Sequence, residues 1–246
     1  MLVIANWKMN KTVAESVEFC KRFLAQSMPS NVEVGIIPPF TDIFTVASHL
    51  EGSKIRFGAQ NCYYEDEGAF TGEISPLMLK DLGCTWCLVG HSERRRLFFE
   101  TDDIVRRKIV ALMRHDIKPV LCIGERLEER QSDRTTAVLS SQIMRALDGL
   151  DLGSEMTIAY EPVWAIGTGV VAKPVQVEDS HSFINDLLQR ISPKTKFTIL
   201  YGGSVTAENC GSLMVKNVGG FLVGGASLSV TSFTSIIETA SKNPTA

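Results

Sequence analysis

Short runs of apolar residues recur along this chain, and between them the apolar positions switch to a helical spacing. The runs at 2–7, 32–38, 54–60, 85–89, 118–123, 156–160, 198–201 and 220–223 are apolar at consecutive positions instead of alternating with polar ones. That is how strands read when both faces are covered, as in a parallel sheet. The stretches between them predict helices over 12–25, 41–50, 76–82, 103–115, 135–147, 176–191, 207–215 and 232–241. In the first helix the spacing turns Val13, Val17, Cys20 and Leu24 inward. Pro38-Pro39 stops the second strand, Thr41 caps the following helix, and Pro76 suits a first helical turn. A long polar loop with Gly68 and Gly72 spans Asn61 to Glu73, and Gly90-His91-Ser92 turns the fourth strand into a charged helix.

Strand and helix alternate eight times, at a repeat of roughly thirty residues. Eight such units predict an α/β fold, a closed (β/α)8 barrel. The alternative is an open doubly wound sheet, which the lack of a G-x-G-x-x-G after the first strand disfavours. No linker or shift in composition interrupts the pattern, so residues 1–246 read as one domain.

Composition narrows the partners. The 246 residues are 44% hydrophobic and 22% charged, with a net charge of -3. This balance argues against nonspecific binding of nucleic acid or an anionic membrane. No apolar run reaches the length of a membrane span, and the first residues lack the basic and apolar regions of a secretion signal. The cysteines at 20, 62, 84, 87, 122 and 210 are scattered, which fits reduced thiols and a cytoplasmic location. Cys84-Thr-Trp-Cys87 has redox or zinc spacing but no second pair, so it reads as structural. His49, His115 and His181 fall on predicted helices without a ligand-spaced cluster, and no metal or cofactor is implied.

In a barrel of this kind every strand ends at one mouth, where chemistry resides. The polar residues at those ends are Asn6 and Lys8, Gln60 and Asn61, His91, Glu125, Glu161 and Ser204, with glycine pairs at 202–203 and 224–225. Glycine lets backbone N–H groups approach an anion, and turns after the seventh and eighth strands are the usual phosphate site of the fold. Glu161 ends a strand, is followed by Pro162, and precedes an apolar and glycine-rich segment holding Trp164, Ile166, Gly167 and Gly169. That is a carboxylate base under a movable lid, and partial loss of hydration is expected to raise its basicity. His91, where a strand meets a helix N-terminus, is expected to be a neutral hydrogen-bond donor. With Lys8 as a second donor, the set suits removal of a proton from carbon beside a carbonyl. Arg94-Arg95-Arg96 and Glu128-Glu129-Arg130 read as solvated helix faces, and Tyr63-Tyr64 as surface or contact residues.

The chain resembles the triosephosphate isomerases over nearly its whole length. The resemblance rests on Asn6-Trp7-Lys8-Met9-Asn10, Gly58-Ala59-Gln60-Asn61, the segment from Gly68 to Ser75, Val89-Gly90-His91-Ser92-Glu93-Arg94-Arg95, Tyr160 to Gly169, Tyr201 to Val205 and Leu222 to Leu228. It implies a TIM barrel that interconverts dihydroxyacetone phosphate and glyceraldehyde 3-phosphate through an enediol or enediolate, without a cofactor. It implies that Glu161 shuttles the proton, His91 acts on the oxygens, and Lys8 and Asn6 bind substrate. Gly167, Ser204, Gly224 and Gly225 would hold the phosphate, and Glu93 would orient Lys8. On lid closure Tyr201 and Ser204 would receive the lid, and Trp164 would swing toward Glu125. The loop around Thr71 would cross to a twofold partner in a homodimer. The pairing of a Glu base with a neutral His is a known pattern of this family.

Two other readings use the same residues. One is a different phosphate-binding barrel, such as a sugar-phosphate epimerase or an indole-forming synthase, which gives no reason for the Trp-containing lid. The other is a catalytically silent barrel acting as a binding protein, whose mark would be loss of Glu161, His91 or Lys8. Three residues depart from the family pattern. Ala5 and Phe99 stand where glycine is common, and Val170 stands where the lid's trailing hinge usually has lysine. The β-branched Val170 stiffens that hinge. Its replacement in Val170→Lys is expected to change lid exchange rates measured by NMR while leaving the chemistry intact, and identical rates would remove the claim.

Overall fold

A computed structural model of the chain describes residues 1–166 and 171–242. Its strands are β1 (Leu2–Asn6), β2 (Glu33–Ile37), β3 (Arg56–Ala59), β4 (Trp86–Val89), β5 (Lys118–Ile123), β6 (Glu155–Tyr160), β7 (Lys196–Tyr201) and β8 (Gly220–Val223). They pair in chain order, all parallel, and β8 returns to β1 from Leu2↔Gly220 to Ala5↔Val223. The α/β prediction of a closed (β/α)8 barrel, a TIM barrel, is thereby met. Among the described residues the helices are α1 (Val13–Leu24), α2 (Ile43–Leu50), α3 (Pro76–Asp81), α4 (Ser92–Leu97), α5 (Asp102–Arg114), α6 (Leu127–Gln131), α7 (Thr135–Leu147), α8 (Pro174–Ile191) and α9 (Val230–Ser241).

Two apolar layers hold the barrel. One fills its interior with side chains such as Ile4, Ile37, Leu88, Val120 and Leu200 around Trp86. The indole needs space that β2 gives up, and the backbone of β4 runs close against β3. A Cβ on Gly35 would sit 2.6 Å from the Trp86 ring, and one on Gly58 would sit 2.4 Å from the Trp86 carbonyl oxygen. The other layer joins the outer strand faces to the helices and is larger. Cys84 and Cys87 point into that outer layer on either side of Trp86, and all six cysteines are buried free thiols. Burial pushes the Cys84 thiol up to about 12 and raises Cys87 well above its ordinary value. Neither holds appreciable thiolate near neutral pH, so the C-x-x-C spacing comes from barrel packing.

Three expectations change. The inward stripe of α1 is Ser16, Phe19, Cys20 and Phe23, while Val13 and Leu24 are exposed. Aromatic rings set the phase, because Phe19 meets Trp7 edge-on at 4.9 Å and Ser16 donates to Asp42 Oδ2 at 2.5 Å. The helix expected over 207–215 is only a 3-10 turn at Cys210–Leu213. There the Thr206 N–H donates to Asn209 Oδ1 at 2.8 Å, and Asn209 Nδ2 donates to the Ser204 carbonyl at 2.9 Å. Side chains thus occupy backbone groups a helix would use. Helix α6 escaped the periodicity because five residues are too short to show one.

His181, on α8, is fully buried and meets Tyr160 edge-on at 5.7 Å, with Nδ1 3.2 Å from the Asn217 carbonyl. Burial lowers its pKa from 6.5 to about 4. Between these values the unfolded chain binds the extra proton and the folded chain does not. The contribution is therefore complete above pH 6.5 and is lost as pH falls toward 4, for a total of roughly 3 kcal/mol. Urea unfolding from pH 7 to pH 4.5 is expected to show a shallower loss of stability in His181→Gln than in the parent, and parallel curves would contradict this assignment.

Candidate active site

The ends of the parallel strands meet at one mouth, over a cavity of about 720 Å3. Its walls include Asn6, Lys8, His91, Glu161, Ser204 and Gly224. Gly225 and Glu93 also line it. Residues 167–170 lie outside the described residues, so Gly167, Gly169 and Val170 are not placed.

Lys8 follows β1 in a left-handed conformation, with φ of 53°. For a residue with a side chain this costs on the order of 1–2 kcal/mol. The strand tip holds it from both sides: the Lys8 N–H donates to Asn6 Oδ1 at 3.1 Å, and Gln60 Nε2 donates to the Lys8 carbonyl at 2.7 Å. The ammonium donates to Glu93 Oε1 at 2.5 Å. Across the mouth, a Cβ on Gly224 would approach Lys8 Cε to 3.4 Å. The glycine keeps the space above the ammonium open.

His91 is the N-cap of α4, and its Nδ1 accepts from the Glu93 N–H at 3.2 Å. Its Nε2 lies 2.9 Å from Glu161 Oε1. An imidazolium would carry a proton on Nδ1, where the Glu93 N–H already points. This arrangement therefore holds a neutral ring with its proton on Nε2, donated to Glu161. Burial lowers the His91 pKa, but the Glu161 charge and hydrogen bond outweigh it and the net direction is upward. The helix N-terminus and the carboxylate thus act on the imidazole in opposite senses.

Glu161 is buried at the tip of β6. Oε2 accepts from the Ser92 N–H at 2.9 Å, the first residue of α4. Burial pushes its pKa up, as the sequence led us to expect, but His91, the Ser92 N–H and the Lys8 charge push it further down. The net direction is a lowered pKa, the reverse of the expected rise in basicity. Two glycines fit the backbone around this carboxylate. A Cβ on Gly124 would lie 1.7 Å from the Glu161 carbonyl oxygen, and one on Gly202 would lie 3.0 Å from Glu161 Cγ.

Glu125, at the end of β5, is fully buried and does not line the cavity. It accepts from Trp164 Nε1 at 2.8 Å, from the Tyr160 hydroxyl at 3.1 Å and from Arg130 Nη1 at 2.9 Å. The Arg130 guanidinium also stacks over the Trp164 ring at 4.9 Å. Arg130 is therefore a partner of Trp164 and Glu125 instead of part of a solvated face. Ser204 Oγ donates to the Ala165 carbonyl at 2.6 Å, which ties the turn after β7 to the same segment. Tyr201 is buried, with its hydroxyl where a Gly203 Cβ would lie 2.2 Å away.

The arginine run at 94–96 is also mostly engaged. Arg94 pairs with Glu100 at 2.9 Å, and Arg95 pairs with Asp102 at 2.6 Å and donates to the Gly90 carbonyl at 2.6 Å. Only Arg96 is exposed as expected. Tyr63 and Tyr64 stack on each other with centroids 4.1 Å apart. Thr71 is exposed on the long loop between β3 and α3, away from the cavity walls. Ser92 and Arg130 were missed as contributors. A serine directly after His91 at a helix start was the available signal for the first.

Fold and site together define the class: a (β/α)8-barrel enzyme with a buried carboxylate–imidazole pair and glycine turns at its mouth. The family model described as triosephosphate isomerase matches residues 1–240. The chain is 46% identical over 241 residues to the triosephosphate isomerase of Aquifex aeolicus, covering 96% of this chain and 98% of that protein. It is 47% identical to those of Thermodesulfovibrio yellowstonii and Finegoldia magna, covering 96% of this chain and 98% and 97% of theirs. The chain belongs to the triosephosphate isomerase family.

Proposed function

We propose that this protein interconverts dihydroxyacetone phosphate and D-glyceraldehyde 3-phosphate, a step of glycolysis and gluconeogenesis, with Glu161 as the proton carrier. The observation that carries the reading is the Glu161 carboxylate, buried in the cavity and 2.9 Å from His91 Nε2. Family membership and the glycine turns at the same mouth support it.

The substrate phosphate sits at the turns after β7 and β8, where Gly224, Gly225 and Ser204 offer N–H groups with little side-chain bulk, and Gly167 of the lid completes the grip. The carbonyl then lies toward His91 and Lys8, with Asn6 beside them. Arrival of the substrate separates Glu161 from the Ser92 N–H and His91 Nε2. These donors, together with the Lys8 charge, lower its pKa, so losing them shifts the balance toward burial and basicity rises. Glu161 takes a proton from the carbon next to the carbonyl. The electron pair moves onto the carbonyl oxygen as an enediolate, which Nε2–H of His91 and the Lys8 ammonium stabilise. His91 passes a proton between the two oxygens, and Glu161 returns its proton to the neighbouring carbon. The reaction balances without a cofactor. Glu93 orients Lys8, and Trp164, Tyr201 and Glu125 steady the lid that keeps water from the enediolate phosphate.

Residues 1–246 act as a single domain in this reading, and the protein works in the cytoplasm, which cell fractionation checks. Among the described residues no helix is long and apolar enough to cross a membrane. A homodimer is part of the same proposal, with Thr71 reaching the partner. Met9, Phe44, Phe98 and Phe99 are exposed apolar side chains that a second copy would cover.

A coupled assay on the triose phosphates is expected to show activity in the parent. Glu161→Asp and His91→Gln are each expected to lower kcat by about 100-fold or more with a modest change in KM, because both groups act on the transition state. Undiminished activity in both variants would contradict the mechanism. Light scattering is expected to give twice the chain mass, and a monomer mass at micromolar concentration would remove the dimer.

A further inference from the structure

The peptide preceding His91 is held more tightly than a turn requires, and the groups that hold it have no part in the proposed chemistry. Gly90 has φ of 69°, and a Cβ there would lie 2.7 Å from an Arg95 nitrogen and 3.0 Å from Val105. Its N–H donates to Glu100 Oε1 at 2.9 Å, and its carbonyl accepts from Arg95 Nε at 2.6 Å. The two peptide units that flank the Gly90 Cα are thus each gripped, one at the N–H and one at the carbonyl, by side chains from beyond the catalytic turn. His91 follows directly, as the N-cap of α4.

Glu100 is itself buried, as is Lys108 on α5, which donates to Glu100 Oε2 at 2.6 Å. Arg94 Nε donates to the same oxygen at 2.9 Å. The Lys108 ammonium also donates to Asn61 Oδ1 at 2.7 Å, at the start of the loop that carries Thr71. A buried ion pair is weak evidence for stability, because desolvation of both charges offsets their attraction. What it supplies is geometry: the ammonium is directed to Glu100 and Asn61, and the carboxylate to Gly90, Arg94 and Lys108. The Glu100 oxygens are divided, one for the Gly90 N–H and one for the two cations. Burial raises the Glu100 pKa, and Lys108, Arg94 and the Gly90 N–H bring the net direction below the ordinary value, so the acceptor stays ionised at neutral pH.

We propose that Glu100, anchored by Lys108 and Arg94, is a positioning residue for His91: it fixes the Gly90 peptide and thereby the aim of Nε2 at the reacting oxygens. The inference rests on the reading of His91 as the group acting on those oxygens. Asn61 extends the chain of contacts to the β3–α3 loop, so displacement of that loop reaches the imidazole through Lys108 and Glu100.

Glu100→Gln/Lys108→Met removes the two buried charges together and leaves only the part-exposed Arg94 guanidinium without its carboxylate. Its folding is followed by thermal unfolding, its activity by kcat and KM, and His91 by ring 15N NMR without substrate. The expected result is a folded variant whose kcat falls about 10- to 100-fold, as for a catalytic group displaced by about an ångström, with KM within about threefold. The His91 nitrogens are expected to move from the fixed Nε2–H tautomer toward averaging. A folded variant with kcat within about twofold of the parent overturns the proposal. So does a fall in kcat with the His91 signals unmoved, since that is a structural effect alone. If the double variant does not fold, Glu100→Asp takes its place under the same criteria, because it keeps a charge near Lys108 but shortens the reach to Gly90. Absence of isomerase activity in the parent would instead refute the functional reading, and the NMR comparison would then decide the positioning by itself.

Discussion

Pairing of β8 with β1 is the constraint from which the remaining architecture follows. Once Leu2 to Ala5 align with Gly220 to Val223, the sheet has no edge and every strand runs the same way. All eight C-terminal tips then lie on one rim. Residues as distant in sequence as Lys8, His91 and Glu161 become neighbours there without any of them being in contact along the chain. The helices have to return each strand to the opposite rim, and in doing so they cover the outer face with the larger apolar layer.

At the rim, contributions of opposite sign act on one carboxylate. Burial disfavours the Glu161 charge, whereas two N–H donors and the Lys8 ammonium favour it. The donors win while they are in contact. A carboxylate held this way stays charged at neutral pH, and its reactivity depends on which partners it retains. The imidazole faces the same tension from the other side, between the carboxylate at Nε2 and the N–H at Nδ1.

Sequence reading recovered the barrel because short, uninterrupted apolar runs and their spacing are set by burial on both faces, which the order of residues records directly. The cavity walls were legible for a related reason: polar residues immediately after such runs stand out, and Asn6, Lys8, His91, Glu161 and Ser204 all line the cavity. Contacts decided by tertiary packing were not legible. The phase of α1 is set by Phe19 against Trp7, a partner that periodicity does not contain. Arg94, Arg95 and Arg130 look like surface charges until the buried Glu100, the Gly90 carbonyl and the buried Glu125 supply their partners. The direction of the Glu161 shift was misjudged because desolvation is predictable from a strand tip, while the Ser92 N–H and the His91 ring are not. Phe99 was noted as unusual where glycine is common, and its backbone does adopt φ of 55°.

The indole of Trp86, packed over Gly35 in the inner apolar layer, helps to fill the cylinder from within. Among the described residues the interior is a packed apolar layer, so the mouth at the rim is the passage for what enters and for what leaves. Incoming and outgoing molecules then contend for a single passage, and traffic through it responds to both concentrations at once.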